Sequence, residues 1–348
     1  MKGIFSISLD MELHWGGFEK WPLETYRTYF LNTRRVIPEI LHLFRKYEVH
    51  VTWAAVGMLL HTSRKELMEN VPEHKPTYSE PKLSAYHFIE ETGIGEKEVE
   101  DPFHFAPSLV ERILLTPHQE LGTHTFAHYY CNEAGQTLLQ FRDDLKAAQR
   151  VALKYNTQLR SLVFPRNQFN DAYLKVCFEE GITSVRSNPA DWFWRIDSTQ
   201  DESGWKRFNR GMDAYLPIGK KNTYKLSSID VREGYPVCIP ASRLLRPYRP
   251  KEFFLNDMKL ERIKAEMKGA AKRNEVYHLW WHPHNFGNYP EQSLKGLEKI
   301  LKTYRRLRDQ HGMQSMTMNE LASEIMNSSA SRRLAFAGKV TKNTKETQ

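Results

Sequence analysis

The chain is built from two apolar patterns that take turns. Gly3-Ile-Phe-Ser-Ile-Ser-Leu9 is a run of strand character that ends in the carboxylates of Asp10-Met-Glu12. β-branched and aromatic residues bounded by charge in this way read as a buried strand. Tyr26, Tyr29, Phe30, Ile37, Leu41 and Phe44 then fall on one helical stripe that runs to Tyr47. Val49 to Gly57 is the second strand. Two strands joined through a helix form the repeating unit of a parallel sheet. The alternation continues with a strand closing on Glu120-Leu-Gly-Thr123, a helix over 136–155, and a strand over 160–164 stopped by Pro165. It runs on with a helix over 171–180 ended by Gly181, a strand over 182–185, a helix over 256–272, a strand over 276–281 and a helix over 291–310. A short strand and a helix close the pattern between Met313 and Met326.

Two stretches break the rhythm. Residues 62–118 are rich in Pro, Glu, His and Lys, with one helical piece near 107–115, and residues 195–250 form a second excursion. Both are too long for tight connections and are expected to cover the mouth of the fold and set substrate choice. The pattern predicts one α/β domain over 1–326 with these two insertions, and a flexible basic tail over 327–348.

Composition narrows the class. A chain of 348 residues with 40% apolar and 26% charged side chains is globular, and no apolar run is long enough to span a bilayer. The first residues enter a strand at once, with no hydrophobic signal core or small-residue cleavage site. Cys131, Cys177 and Cys238 are widely spaced without a CxxC. They read as free thiols, and the expected location is cytoplasmic. Of the net charge of +8, half comes from Arg332, Arg333, Lys339, Lys342 and Lys345 set against Glu346. That aperiodic tail is expected to be solvated; its one membrane role would be peripheral contact with anionic lipid, and no specific nucleic acid is expected. Arg243, Arg246, Arg249 and Lys251, interleaved with prolines, are a candidate grip for an anionic part of a substrate. There is no Walker loop and no GxGxxG, which argues against nucleotide hydrolysis and dinucleotide binding. Nothing in the sequence sets the oligomeric state.

The candidate chemistry lies at strand ends. His124 and His128 follow the third strand four residues apart, a spacing that on a helical turn puts both imidazoles on one face. Asp10 and Glu12, two apart, share a face of the first strand. A catalytic zinc takes three protein ligands and keeps one position open, and imidazole suits zinc and its first-row neighbours. His282 and His284 leave the 276–281 strand on the same side of an extended chain. His14, His87, His104 and His118 have no evident partner and read as surface or loop residues; His278 reads as core.

Ser8-Leu-Asp10-Met-Glu12, His124-Thr-Phe-Ala-His128, Phe164-Pro-Arg-Asn167, Asp191-Trp192 and Leu279-Trp-Trp-His282 resemble, in order and rough spacing, the motifs of the polysaccharide deacetylase family. This is the NodB-homology group, carbohydrate esterase family 4, and the resemblance spans about residues 3 to 320. It implies a distorted, incomplete (β/α) barrel of about seven parallel strands and one divalent metal ion of the zinc type. It implies Asp10 as base, Glu12, His124 and His128 as metal ligands, and His282 as the acid, with His284 in reserve. By the same resemblance Arg166 orients the base and Asp191 tunes the acid. Trp192, Asn167 and His284 are candidate substrate contacts. Two departures matter: the usual adjacent acidic pair is Asp-x-Glu here, so base and ligand could be exchanged, and Arg166 follows Pro165 where the family places Arg first. The implied substrate is an N-acetylated sugar, and a cytoplasmic location points to a carrier-linked precursor of a surface polysaccharide. The alternatives are a hydrolase of a small linear or cyclic amide and a non-catalytic carbohydrate-binding relative.

Overall fold

The apolar run after Gly3 forms β1 (Ile4–Met11), and the remaining elements are arranged about it. The computed structural model describes residues 2–189, 191–194, 204–216, 219 and 221–329. β1 pairs in parallel with β2 (Val51–Ala55) on one side and with β8 (Val276–Trp281) on the other. Outward from β2 lie β3 (Gln119–Thr123), β4 (Ser161–Leu162), β5 (Ser184–Ser187) and β6 (Val237–Pro240). Beyond β8 lies β7 (Arg243–Leu244), and β9 (Gln314–Ser315) pairs with the start of β1. The outermost strands, β6 and β7, are separated only by Ala241 and Ser242. The amide of Ala241 donates to Ser187 O at the end of β5, and that of Ser242 to His278 O on β8, each at 2.8 Å. One short link therefore stitches the two ends of the sheet, and the ribbon curls into a distorted, incomplete barrel.

Helices α1 (Leu23–Tyr47), α4 (Pro107–Leu115), α5 (Leu138–Leu153), α6 (Asp171–Glu179), α8 (Phe253–Arg273) and α9 (Pro290–His311) accompany the strands. α2 (Arg64–Glu69) and α3 (Ala85–Thr92) belong to the first excursion, and α7 (Gly204–Asp213) to the second. The alternation of β1 decides what faces where. Phe5, Ile7, Leu9 and Met11 join the large core beneath the helices. Ser6, Ser8 and Asp10 have the opposite parity, and Ser8 meets Arg186 and His278 across the barrel. The interior is polar and internally bonded: Thr52 Oγ1 donates to Glu120 Oε2 at 2.6 Å, and the Ser161 and Ser184 hydroxyls meet at 2.7 Å. Its N-terminal end is closed by a last helix, α10 (318–329), whose Met318, Leu321, Ala322 and Ile325 pack on Ile4, Ala54, Val163 and Val276. That leaves the C-terminal ends of the strands open, where barrels of this kind place their chemistry.

The two excursions separate into scaffold and cover. α4 is an ordinary barrel helix packed on β3 and α1, so only the stretch before it is an insertion. That insertion lies on the mouth: Phe103 O accepts the His14 amide at 3.4 Å, and Tyr78 Oη accepts the Tyr130 amide at 2.8 Å. The 195–250 stretch supplies β6 and β7, so part of what reads as an excursion is barrel wall. Its residues 195–203 lie outside the described residues, as does the expected basic tail from residue 330 onward, while α10 extends to residue 329. Arg243 does not reach for a substrate. It is buried, ion-paired with Asp213 at 3.2 Å and Glu266 at 2.6 Å.

Candidate active site

Glu12 is the centre of the open end. It leaves β1 as the first residue of a turn that continues through Leu13–Gly16. A Cβ at Gly16 would stand 1.8 Å from Glu12 Oε2, so the missing side chain there is what lets the carboxylate fold back into the barrel. Glu12 Oε1 lies 2.9 Å from His124 Nε2, 3.4 Å from His128 Nε2 and 3.5 Å from His282 Nε2, and Oε2 lies 3.9 Å from His284 Nδ1. Burial works against the Glu12 carboxylate, but His282, His124 and His128 outweigh it and hold its carboxyl well below the usual range.

The two histidines after β3 do not sit on a helical turn. They lie on an irregular loop in which Thr125 (φ 64°) and His128 (φ 55°) are both left-handed, and this bend brings the rings to a 5.1 Å separation. Asp144 on α5 holds the loop, accepting the amides of Phe126 and Ala127 at 2.7 and 3.0 Å. Burial pushes the Asp144 carboxyl up to about 7 despite those two donors. His128 Nδ1 meets Tyr130 Oη at 3.0 Å, and that hydroxyl faces Glu19 Oε1 at 3.4 Å. With the hydroxyl donating to Glu19, it accepts the proton of Nδ1, which leaves the Nε2 lone pair free toward Glu12. Burial also lowers the His128 pKa, against the pull of Glu12. His124 Nε2 approaches Glu12 without an aligned hydrogen bond, and its buried Nδ1 has no partner among the described residues. A buried imidazole left in this state, beside a second imidazole and an ionised carboxylate, is a donor set for a divalent cation. Glu12, His124 and His128, the expected ligand set, bring their donor atoms within 4.8 Å of one another. Glu12, His282 and His284 form a second group whose donor atoms lie within 4.8 Å of one another.

Asp10 is held by a different arginine from the expected one. Arg186 on β5 grips it with two parallel bonds, Nη1–Oδ1 at 2.5 Å and Nη2–Oδ2 at 2.7 Å, with both side chains almost wholly buried. Asn167 Oδ1 and Ser8 Oγ accept further protons of Arg186, at 3.0 and 3.2 Å, and its guanidinium lies 4.2 Å over the Trp280 ring. Burial opposes ionisation of Asp10, while Arg186 and His282 keep its carboxyl below the usual range. Asn167 therefore buttresses the arginine. Arg166 points elsewhere: it is bonded to Glu19 and lies 4.0 Å over the Tyr130 ring. Its link to the site runs through Tyr130 and His128.

His282 and His284 stack at 4.8 Å but occupy different surroundings. His282 Nε2 lies 3.6 Å from Asp10 Oδ2, and its side chain is 26% exposed. His284 is buried against Trp21, Tyr29 and Phe30, and burial, then His282, lower its pKa to about 3. Asp191 is buried against Gly219 at the head of the Trp192–Trp194 turn, and Trp192 is exposed. His278 is core, bonded to Ser8 at 2.9 Å. His14 and His104 are not surface residues. His14 Nε2 donates to Trp21 O at 2.8 Å, so its Nδ1 accepts from His104 Nε2, also at 2.8 Å. His104 Nδ1 in turn meets Asp101 Oδ2 at 2.7 Å. This chain ties the first insertion to the turn after Glu12.

Residues 25–185 match the family model described as polysaccharide deacetylase. The matched segment is a polysaccharide deacetylase domain. Solved structures extend the likeness of fold to most of the chain. A Mycobacterium smegmatis protein named as a polysaccharide deacetylase superposes with a TM-score of 0.58 at 13% identity, covering 94% of this chain and 92% of its own. A Pseudomonas aeruginosa PAO1 protein named in the same way gives 0.53 at 11%, covering 92% and 90%. A structure named Puue Allantoinase gives 0.52 at 10%, covering 92% and 89%. No curated protein matches the sequence. The deacetylase domain includes β1's partner β2 and the His124–His128 loop but not β8. Asp10, Glu12 and His282 are therefore brought to it by the barrel rather than by the matched segment. Among its described residues, no helix is long and apolar enough to cross a membrane.

Proposed function

We propose that the protein is a metal-dependent hydrolase that removes the acetyl group from an N-acetylated sugar, carried on a precursor in surface-polysaccharide synthesis. The observation that carries this reading is the convergence of Asp10, Glu12, His124, His128 and His282 at the open end of the barrel, drawn from three strand ends far apart in sequence. Glu12, His124 and His128 would hold the ion. When bound, a divalent cation of the zinc type polarises the acetyl carbonyl and acidifies a water. Asp10, kept ionised and fixed in direction by Arg186, accepts the proton of the attacking water. The amide nitrogen is a poor leaving group as an anion, and His282, partly exposed and facing both carboxylates, donates the proton that lets it depart as an amine. The buried His284 has no route to solvent comparable to that of His282, and its low pKa disfavours a proton-carrying role. Trp192, exposed beside the mouth, offers an apolar face to a sugar ring. The free cysteines accord with a cytoplasmic site of action.

The test is metal content together with acetate release from a panel of N-acetylated sugars and their lipid- or nucleotide-linked forms. About one ion per chain and release from at least one sugar are expected, both lost in His124→Ala/His128→Ala. The likeness to the allantoinase structure supports a second reading, hydrolysis of a small cyclic amide, so the panel includes cyclic ureides. Turnover of those alone would replace the sugar reading. Metal binding with no turnover of any member would favour a non-catalytic carbohydrate-binding protein.

A further inference from the structure

We propose that α7 and the loop beside it dock the mouth of the barrel onto an anionic membrane surface. A surface helix ordinarily turns its apolar stripe inward and its charges out. α7 instead turns its large aromatics outward. Asp213 is 1% exposed and ion-paired with Arg243 and Arg262 at 3.2 and 3.1 Å, and the guanidinium of Arg210 lies 5.7 Å from the Trp194 ring. Trp205 and Phe208, one helical turn apart, point out at 65% and 54% exposure, their rings stacked at 5.5 Å. Leu216, Trp192 and Phe254 are exposed large side chains in the neighbouring segments. Contacts run from α7 through Trp194 to Trp280, 6.4 Å away, and on to His282 at 5.8 Å, so this surface flanks the site.

The charge beside these aromatics decides what could cover them. Segment 204–216 and segment 243–252 meet where Arg246 donates to Arg210 O and Tyr215 Oη to Glu252. Apart from the buried pair of Arg243 and Asp213, they hold six Lys or Arg against one Glu, a net +5. A second copy of the chain would bring like charge against like charge across a two-fold axis. A neutral glycan would gain nothing from the cations. An anionic bilayer answers both features, taking Trp and Phe at the headgroup level and attracting Lys and Arg from a distance.

The test is co-sedimentation of the full chain with phosphatidylcholine vesicles, with and without phosphatidylglycerol, and quenching of tryptophan fluorescence by brominated lipid. The expected result is binding that requires phosphatidylglycerol, weakens with salt, and is accompanied by quenching. Trp205→Ala/Phe208→Ala should lower the partition coefficient roughly tenfold or more and remove most of the quenching. Both positions are exposed, and an unchanged circular dichroism melt checks that the fold is kept. Arg249→Glu/Lys251→Glu, a second variant outside the helix, should weaken binding to phosphatidylglycerol vesicles severalfold with the aromatics intact. The proposal is overturned if the wild type ignores anionic vesicles or if either variant binds them as the wild type does. It is equally overturned if the aromatic variant abolishes a self-association seen by sedimentation equilibrium without vesicles.

Discussion

Replacing Arg186 with Met removes the guanidinium while keeping much of its stem, and leaves Asp10 buried with no cation bonded to it. Two charge-assisted bonds at 2.5 and 2.7 Å disappear, with the bonds to Asn167 and Ser8 and the contact with Trp280. Breaking one side of a buried ion pair costs about 3–5 kcal/mol, because the remaining charge keeps its desolvation penalty. Against a typical domain stability of about 5–15 kcal/mol, that is a large fraction. Asp10→Asn/Arg186→Met removes both charges, so it should be more stable than Arg186→Met alone, with a coupling of roughly 1–3 kcal/mol. Urea unfolding followed by tryptophan fluorescence, at fixed salt and with chelator present, measures all three variants against the wild type. Arg166→Met serves as the control: it should destabilise through Glu19 yet show no coupling to Asp10→Asn. Turnover in Arg186→Met should fall within the roughly 10²–10⁴-fold range of a lost general base, since Asp10 is no longer aimed. A loss below about 1 kcal/mol in Arg186→Met, or a double variant no more stable than the single, would refute the clamp as the source of Asp10's position.

Three further outcomes follow from the same geometry. Asp10→Asn should retain metal affinity while losing turnover, and Glu12→Gln should lose metal affinity first and recover part of its activity at high metal; equilibrium dialysis with initial rates separates them, and swapped results exchange the two roles. His282→Ala should cut turnover on amides far more than on activated esters, whose leaving groups need no proton, whereas a His284→Ala variant with that signature would transfer the acid role. Stability should fall as pH rises from about 4 to about 7 through Asp144. Its folded carboxyl, at about 7, keeps a proton that the unfolded chain has already released, and the effect is at most about 4 kcal/mol. Asp144→Asn should flatten that part of the pH profile in thermal melts, and an unchanged slope would mean that Asp144 is ionised throughout.

The alternation of strand and helix was legible because the strands are local patterns, while the closing of that alternation into a barrel was implied by the resemblance alone. β1, β2 and β8 are short apolar runs with charge or Gly at their ends, and parity along β1 already pairs Asp10 with the interior. The segment over 237–244 was harder to read. It carries Pro240 and is only a few residues long, and its role as wall comes from stitching β5 to β8, a non-local fact. The histidine pair was visible, but its geometry was not, since positive φ at Thr125 and His128 depends on Asp144 eighteen residues away from Phe126. Arg186 left one trace that could have been followed: it is a charged residue in the 184–187 strand with the parity of Ser184, which faces the interior. The strand expected over 182–185 stopped one residue before it. Arg166 drew attention through its neighbours in sequence, whereas the bidentate partner of Asp10 is chosen by the curvature of the sheet. His14 and His104 seemed partnerless because their bond spans ninety positions.

The placement of β1 between β2 and β8 has a consequence for the order in which the chain is made. Its Ile4–Leu9 edge pairs with Val276–Trp281, and its first residue, Ile4, packs in one cluster with Met318 and Ile325. β1 must therefore wait, with one edge unpaired, until β8, far later in the chain, has been synthesised. A flat apolar edge left open for that long is a template for misplaced strands from other chains. Ser6, Ser8 and Asp10 on its inner face make it a poorer template than an unbroken apolar strand would be. Asp10, placed for chemistry in the folded protein, is thus also the charge that closes this exposed edge while it waits.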